Sequence, residues 1–227
     1  MTVGPGRDRD HGTQASRMQI EQIWAQIEEA KCIEQRTGSL RRAVVNLAKL
    51  NNVNITDTDV GKIAGLVTEY IEHAPALMMV IEEAAARNGV LADVQPILSA
   101  TENYFLMPDD IIPDHYGLVG LLDDAYLTHS LMEAISDQYK LQSGRSLLPV
   151  ETHALNAFSK RLIGVPFVNI LDEHVSATIE SLGVEAEINQ ILAALAKIDL
   201  LSIQDPLWGQ IGAADISALR IVATGTV

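Results

Sequence analysis

Apolar side chains recur every three to four positions through most of this chain. Ile20, Ile23, Trp24, Ile27 and Ala30 fall at helical spacing, and Ser16-Arg17-Met18-Gln19 ahead of them has the form of a capping box. The spacing predicts a first helix from Ser16 that Gly38 stops, then a shorter one that Ser39 opens, "LRRAVVNLAKLNN". The loop "NVNITDTD" caps a third helix over residues 57–73, and Pro75 restarts the chain as "PALMMVIEEAAARNG". Pro96 suits the first turn of "PILSATENYFLM", which Pro108 ends. A longer helix, Leu118 to Leu141, follows an aspartate-rich segment and runs into "QSGRS". Pro149 and Pro166 begin two more helices that Gly164 and Gly183 close, and "EAEINQILAALAKIDLL" is a further one. The ending "LRIVATGTV" has strand composition but no evident strand to pair with. No fixed-period repeat and no sustained heptad is present. The expected fold is all-α, an irregular bundle of about nine or ten helices with a proline–aspartate helix-turn-helix corner.

Three regions follow from this pattern. Residues 1–15 carry Gly, Pro and charge without periodicity and read as a disordered tail. Residues 16–146 read as a helical domain, and 147–227 as a C-terminal helical region packed on the same core or beside it.

Composition narrows the function. Hydrophobic residues make up 48% of the chain and aromatics 4%, so the core is built from Leu, Ile, Val, Ala and Met. The formal net charge of −14 gives no general attraction for nucleic acid or an anionic membrane surface. Cys32 is the single cysteine, which excludes an intramolecular disulfide and a Cys-based zinc site within one chain. The opening "MTVGPGRDRDHGTQAS" has no apolar signal region, and no apolar run is long enough to span a bilayer. A cytoplasmic compartment of bacterial type is the simplest expectation.

Charge is distributed in one direction around the middle of the chain. Between Arg87 and Lys140 there is no Lys or Arg, while Asp93, Glu102, Asp109, Asp110, Asp114, Asp123, Asp124, Glu133 and Asp137 all lie there. Carboxylates set against apolar residues need hydrogen bonds, a cation or a proton. Pro108 and Pro113 each impose a turn, which places Asp110 and Asp114 where a carboxylate can accept from free backbone N–H groups. Asp123 and Asp124 are expected inside the following helix, about two turns past Asp114, where aspartate is a poor helix residue. Gly117 and Gly120 permit close backbone approach at the corner.

The run Pro108-x-Asp110-x-Ile112-Pro113-Asp114, then Gly120 and Asp123-Asp124, resembles the signature of the YkvA-like family, a small helical domain of unknown function. That pattern is approximately P-x-D-x-I-P-D-x-x-P-x-x-G-x-x-D-D. The sequence departs from it at the third proline, where Gly117 stands, and a looser turn is expected there. The resemblance covers residues 98–140. It implies small bacterial relatives, some of them membrane-associated, and others in which the domain sits beside a RING finger in ubiquitin ligases. It carries no catalytic residue over to this chain.

Two function classes remain. In the first, Asp110, Asp114, Asp123 and Asp124 form a hard-cation site for Mg²⁺ or Ca²⁺ and serve a metal-dependent hydrolase. The plainer account is that these aspartates cap turns, bond backbone amides or pair with Arg41, Arg42 or Arg87. Their spacing does not match an EF-hand loop, and His115 and His129 lie too far apart for a paired ligand motif. His73, His153 and His174 are expected to be ordinary surface or cap residues. No phosphate loop, dinucleotide fingerprint or nucleophile elbow is present. In the second class, the stripes "ALMMVIEEAAA" and "ILAALAKI", and Trp208, face either the core or a partner. The leading expectation is a non-enzymatic helical interaction or accessory protein, acting with a protein partner or as a homo-oligomer. Membrane association is disfavoured by the acidic charge.

Overall fold

The computed structural model describes residues 8–107, 111–147, 151–182, 185–198 and 213–225. Among them are nine α-helices, one 3₁₀ helix and no strand, which bears out the all-α expectation. Helix α1 spans Asp8–Thr37, α2 Ser39–Leu50, α3 Asp57–Arg87 and α4 Leu91–Leu106. The 3₁₀ helix Asp114–Val119 leads into α5, Leu122–Ser143. Then come α6 Glu151–Ile163, α7 Phe167–Leu182, α8 Glu185–Ile198 and α9 Ala213–Thr224. None of the helices described is long and apolar enough to cross a membrane. Pro108, Asp109, Asp110, Pro149, Gly183 and Trp208 lie outside the described residues.

Several boundaries differ from those the pattern predicts. Ser16 lies within α1 and is not its cap, because the helix already runs from Asp8. Pro75 does not divide the third helix; α3 passes through it. Proline in a helix interior costs about 3 kcal/mol. Ile71, Ala74, Leu77 and Met78 around it are buried, and burying each large apolar side chain contributes about 1.5–3 kcal/mol. The continuous apolar face outweighs the lost hydrogen bond. Pro96 likewise lies inside α4, which begins five residues earlier at Leu91.

Residues 219–224 of the strand-like ending belong to helix α9. Leu219, Val222 and Ala223 are buried on it, and it packs on α2, α3 and α6. Its final carbonyls are held from outside the helix: the Asn51 side-chain amide donates to Val222 O at 3.0 Å and to Ala223 O at 3.2 Å. β-propensity yields here because there is no strand among the described residues for it to pair with.

Helix α5 sits at the centre. Its buried residues run through every position from Leu122 to His129, then Leu131, Met132, Ile135 and Ser136, so it is enclosed on all sides. Contacts come from α3, α4, α6, α7 and the 3₁₀ helix.

Candidate functional site

The proline–aspartate corner is built from backbone packed directly on backbone. Pro113 is extended and precedes the 3₁₀ helix, and Tyr116 N–H donates to Pro113 O at 3.1 Å. A Cβ added at Gly120 would lie 2.6 Å from Pro113 O and 2.7 Å from Asp114 Cα. Gly117 has φ 71° and ψ −134°, and a Cβ there would lie 2.9 Å from Ile33 Cγ2 and 3.1 Å from Ala30 O. Both glycines therefore make the close approach their positions suggested. Where the family's third proline is missing, Gly117 packs directly on α1. A proline fixes φ near −65°, incompatible with this left-handed residue seated on α1.

A second clasp ties the corner to the α1–α2 junction. Ser39 Oγ donates to Tyr116 O at 2.9 Å. Glu34 Oε2 accepts from Leu40 N–H at 2.8 Å, so a residue of α1 caps the start of α2. Nothing in the local pattern at Gly38–Ser39 signals that a glutamate five residues upstream does this work.

The aspartates separate by environment. Asp123 and Asp124 are 1% and 3% exposed, whereas Asp114 is exposed. Asp123 Oδ2 accepts from Ile112 N–H at 3.0 Å, the backbone bond expected of a corner-organising carboxylate. Because the 3₁₀ helix takes up Asp114–Val119, α5 begins only at Leu122, and both aspartates occupy its first turn. Both lie in the helix after Asp114 as expected, but that helix starts four residues later than Leu118, so they sit at its beginning. At a helix start, negative charge is favourable, by about 0.3–1 kcal/mol. Arg41 donates to Asp57 O, Arg42 to Thr37 O, and Arg87 lies 3.7 Å from Glu83. No group of three or more His, Cys, Asp or Glu among the described residues is arranged to hold a metal ion. Asp110, the fourth residue of the expected ligand set, is outside them.

Behind the corner lies a polar line through the core that the sequence did not reveal. His73 is 1% and His129 0% exposed, so His73 is a core residue and not the surface or cap residue expected. Their rings stack at 5.2 Å, and His129 Nε2–H donates to Tyr70 O at 2.9 Å. The Tyr70 hydroxyl donates to Asn156 Oδ1 at 2.7 Å, Asn156 Nδ2 donates to Glu133, and Glu133 also binds His153 at the surface. Beside this line, the Tyr126 hydroxyl donates to Asp172 at 2.6 Å, and Lys160 binds the same carboxylate. Burial pushes the Tyr70 phenol well above its ordinary pKa. Tyr126 is raised too, by burial first and then by its bond to Asp172. His115 and His174 are exposed.

A groove of about 440 Å³ opens on the other end of α1. Ile20 and Trp24 of α1, Met79 and Ala86 of α3, and Leu91 of α4 supply its apolar floor. Glu21, Glu82 and Glu83 edge it, and no Lys or Arg is among these lining residues. The stripe "ALMMVIEEAAA" divides between core and surface. Leu77, Met78, Ile81, Ala84 and Ala85 are buried, while Met79 is 47% exposed and Ala86 faces outward. Met18, 59% exposed, lies on α1 close by.

No curated protein and no solved structure matches the chain. Residues 97–129 match the model of a family described as "Protein of unknown function (DUF1232)", with which the YkvA-like resemblance is compatible. The match runs from α4 through the corner to His129, so the corner segment, and not the chain as a whole, is what is similar to that family.

Proposed function

We propose that the chain is a non-enzymatic helical docking protein acting in the cytoplasm, and that its docking face is the groove between α1, α3 and the start of α4. The observation that carries this reading is an apolar floor left open to solvent between packed helices and bordered by glutamates. Helix-in-groove recognition uses such a floor for anchors at i, i+3, i+4 and i+7. The occupant is a basic amphipathic helix of a protein partner. Glu21 and Glu83, both exposed, match Lys and Arg at its flanks, and a second copy of this chain would bring another −14. Met79 to Ala86 spans about 10 Å of α3, enough for two turns of partner helix.

The test uses two synthetic helical peptides with leucines at i, i+3, i+4 and i+7, one carrying lysines elsewhere and one carrying glutamates. Fluorescence of Trp24 in a Trp208→Phe background reads binding. The lysine peptide should bind, weaken with salt, and be lost on Met79→Lys with Glu83→Lys. Equal binding of both peptides, or binding indifferent to those substitutions, refutes the reading. Concentration-dependent self-association abolished by Met79→Lys would instead make the groove a homo-oligomer interface.

A second reading rests on the two buried aspartates at the start of α5. In it, Asp110, Asp114, Asp123 and Asp124 hold Mg²⁺ or Ca²⁺ for a hydrolase. Stoichiometric metal in unchelated protein, lost in Asp114→Asn, would support it. A metal-free protein of unchanged stability removes it.

A further inference from the structure

Helices α6 and α9 flank an open pocket of about 540 Å³. Its floor is apolar, with Ala157 and Phe158 from α6 and Leu219 and Ala223 from α9. Two arginines line it, Arg161 and Arg220. In a chain with 16 Lys and Arg against 30 acids, two arginines on one apolar pocket are a local reversal of sign. Neither is in an ion pair with another described residue. His153 lines the same pocket, but Glu133 already holds its ring, so the guanidinium groups are the donors on offer. A favourable position at a helix C-terminus accounts for Arg161, in the last turn of α6, but not for Arg220, which lies mid-way along α9.

We propose that this pocket binds a free aliphatic carboxylate, with the hydrocarbon body on the Phe158 and Leu219 floor and the carboxylate between Arg161 and Arg220. Arginine presents a planar fork of donors that matches a carboxylate in two-point contact. The volume falls in the usual range for small-molecule sites, about 300–1,000 Å³. The apolar floor sets the class: a small hydrophilic anion would leave it wet, and a cationic amphiphile would meet both arginines.

Laurate, titrated calorimetrically below its micelle concentration, is the probe. It should bind saturably, and Arg161→Gln with Arg220→Gln should weaken it by about tenfold or more, the loss expected for charge-assisted bonds. Ala157→Trp keeps both arginines but fills the floor, and should also weaken binding, which covers the case of a double variant that fails to fold. Dodecyltrimethylammonium should not bind. The proposal is overturned by an absence of saturable laurate binding, by unchanged affinity in both variants, or by equal uptake of the cationic probe. Flotation with phosphatidylglycerol vesicles in protein that ignores free laurate would assign the arginines to a lipid surface and overturn it as well.

Discussion

Substituting Gly120 by alanine sets two effects against each other, and the structure decides which one wins. Gly120 has φ −68° and ψ −33°, ordinary right-handed helical values. On backbone grounds alone, alanine there should stabilise by about 0.5–1 kcal/mol through the unfolded chain. The new methyl, however, would sit 2.6 Å from Pro113 O and 2.7 Å from Asp114 Cα, both backbone atoms that no rotamer change can move aside. Relief requires the corner to open, at a cost of about 1–3 kcal/mol for overpacking. Opening also strains the Ile112–Asp123 bond, and hydrogen bonds to a charged group are worth about 1.5–3 kcal/mol. The expected net is a loss of about 2–4 kcal/mol. Gly65 supplies the internal control: it is helical, in α3, with nothing within 4 Å of an added Cβ, so Gly65→Ala should gain about 0.5–1 kcal/mol. Urea unfolding of both variants at matched m-value reads the comparison. If Gly120→Ala is as stable as Gly65→Ala, the close-packed corner is wrong.

Three further expectations follow from named contacts. Asp123→Ala strands the Ile112 N–H and should cost about 1–3 kcal/mol, with Asp123→Asn recovering part of it; equal stability of all three proteins in urea would show that the bond is idle. Asn51→Ala removes the clasp on the last carbonyls of α9 and should cost about 1 kcal/mol, read as faster amide exchange confined to that helix. Because the folded pKa of Tyr70 lies well above the unfolded value of about 10, its contribution is intact below that pH and is lost as pH rises toward the folded value. Stability should therefore fall above pH about 10 with a component of about 1.4 kcal/mol per pH unit that Tyr70→Phe abolishes; an unchanged alkaline slope in the variant refutes this.

Helical periodicity made the element types of α1 to α8 legible, because each buries an apolar stripe whose spacing is local information. Boundaries were less so where local rules met tertiary packing. Pro75 and Pro96 read as helix starts, yet both lie inside helices whose apolar faces are buried. The corner was legible for the same reason as the helices: prolines, glycines and aspartates act on neighbours a few residues away. The Tyr70–Asn156 bond joins residues 86 apart, and nothing near either one announces the other. His73 read as an ordinary surface or cap residue, and only α5 brings His129 against it. The groove was half legible. The methionine stripe marks two usable faces, but which one stays open depends on where α1 crosses.

That crossing links the corner to the groove. The 3₁₀ helix packs on α1, where Gly117 meets Ala30 and Ile33. Ile20 and Trp24, on the same helix, form one wall of the groove. Six residues separate Trp24 from Ala30, about 9 Å along an unbroken helix. Rigid helices transmit position over such a span, so seating the C-terminal half of α1 on the corner also sets the distance of Trp24 from Met79. The segment that resembles a known family therefore shapes the groove through packing alone. Pro113, Gly117, Gly120 and Asp123 hold a joint, and the joint holds the helix that walls the groove. On this view the acidic run without a Lys or Arg reflects a corner stabilised by backbone N–H groups and a helix start, which supply the positive end that basic side chains would otherwise provide.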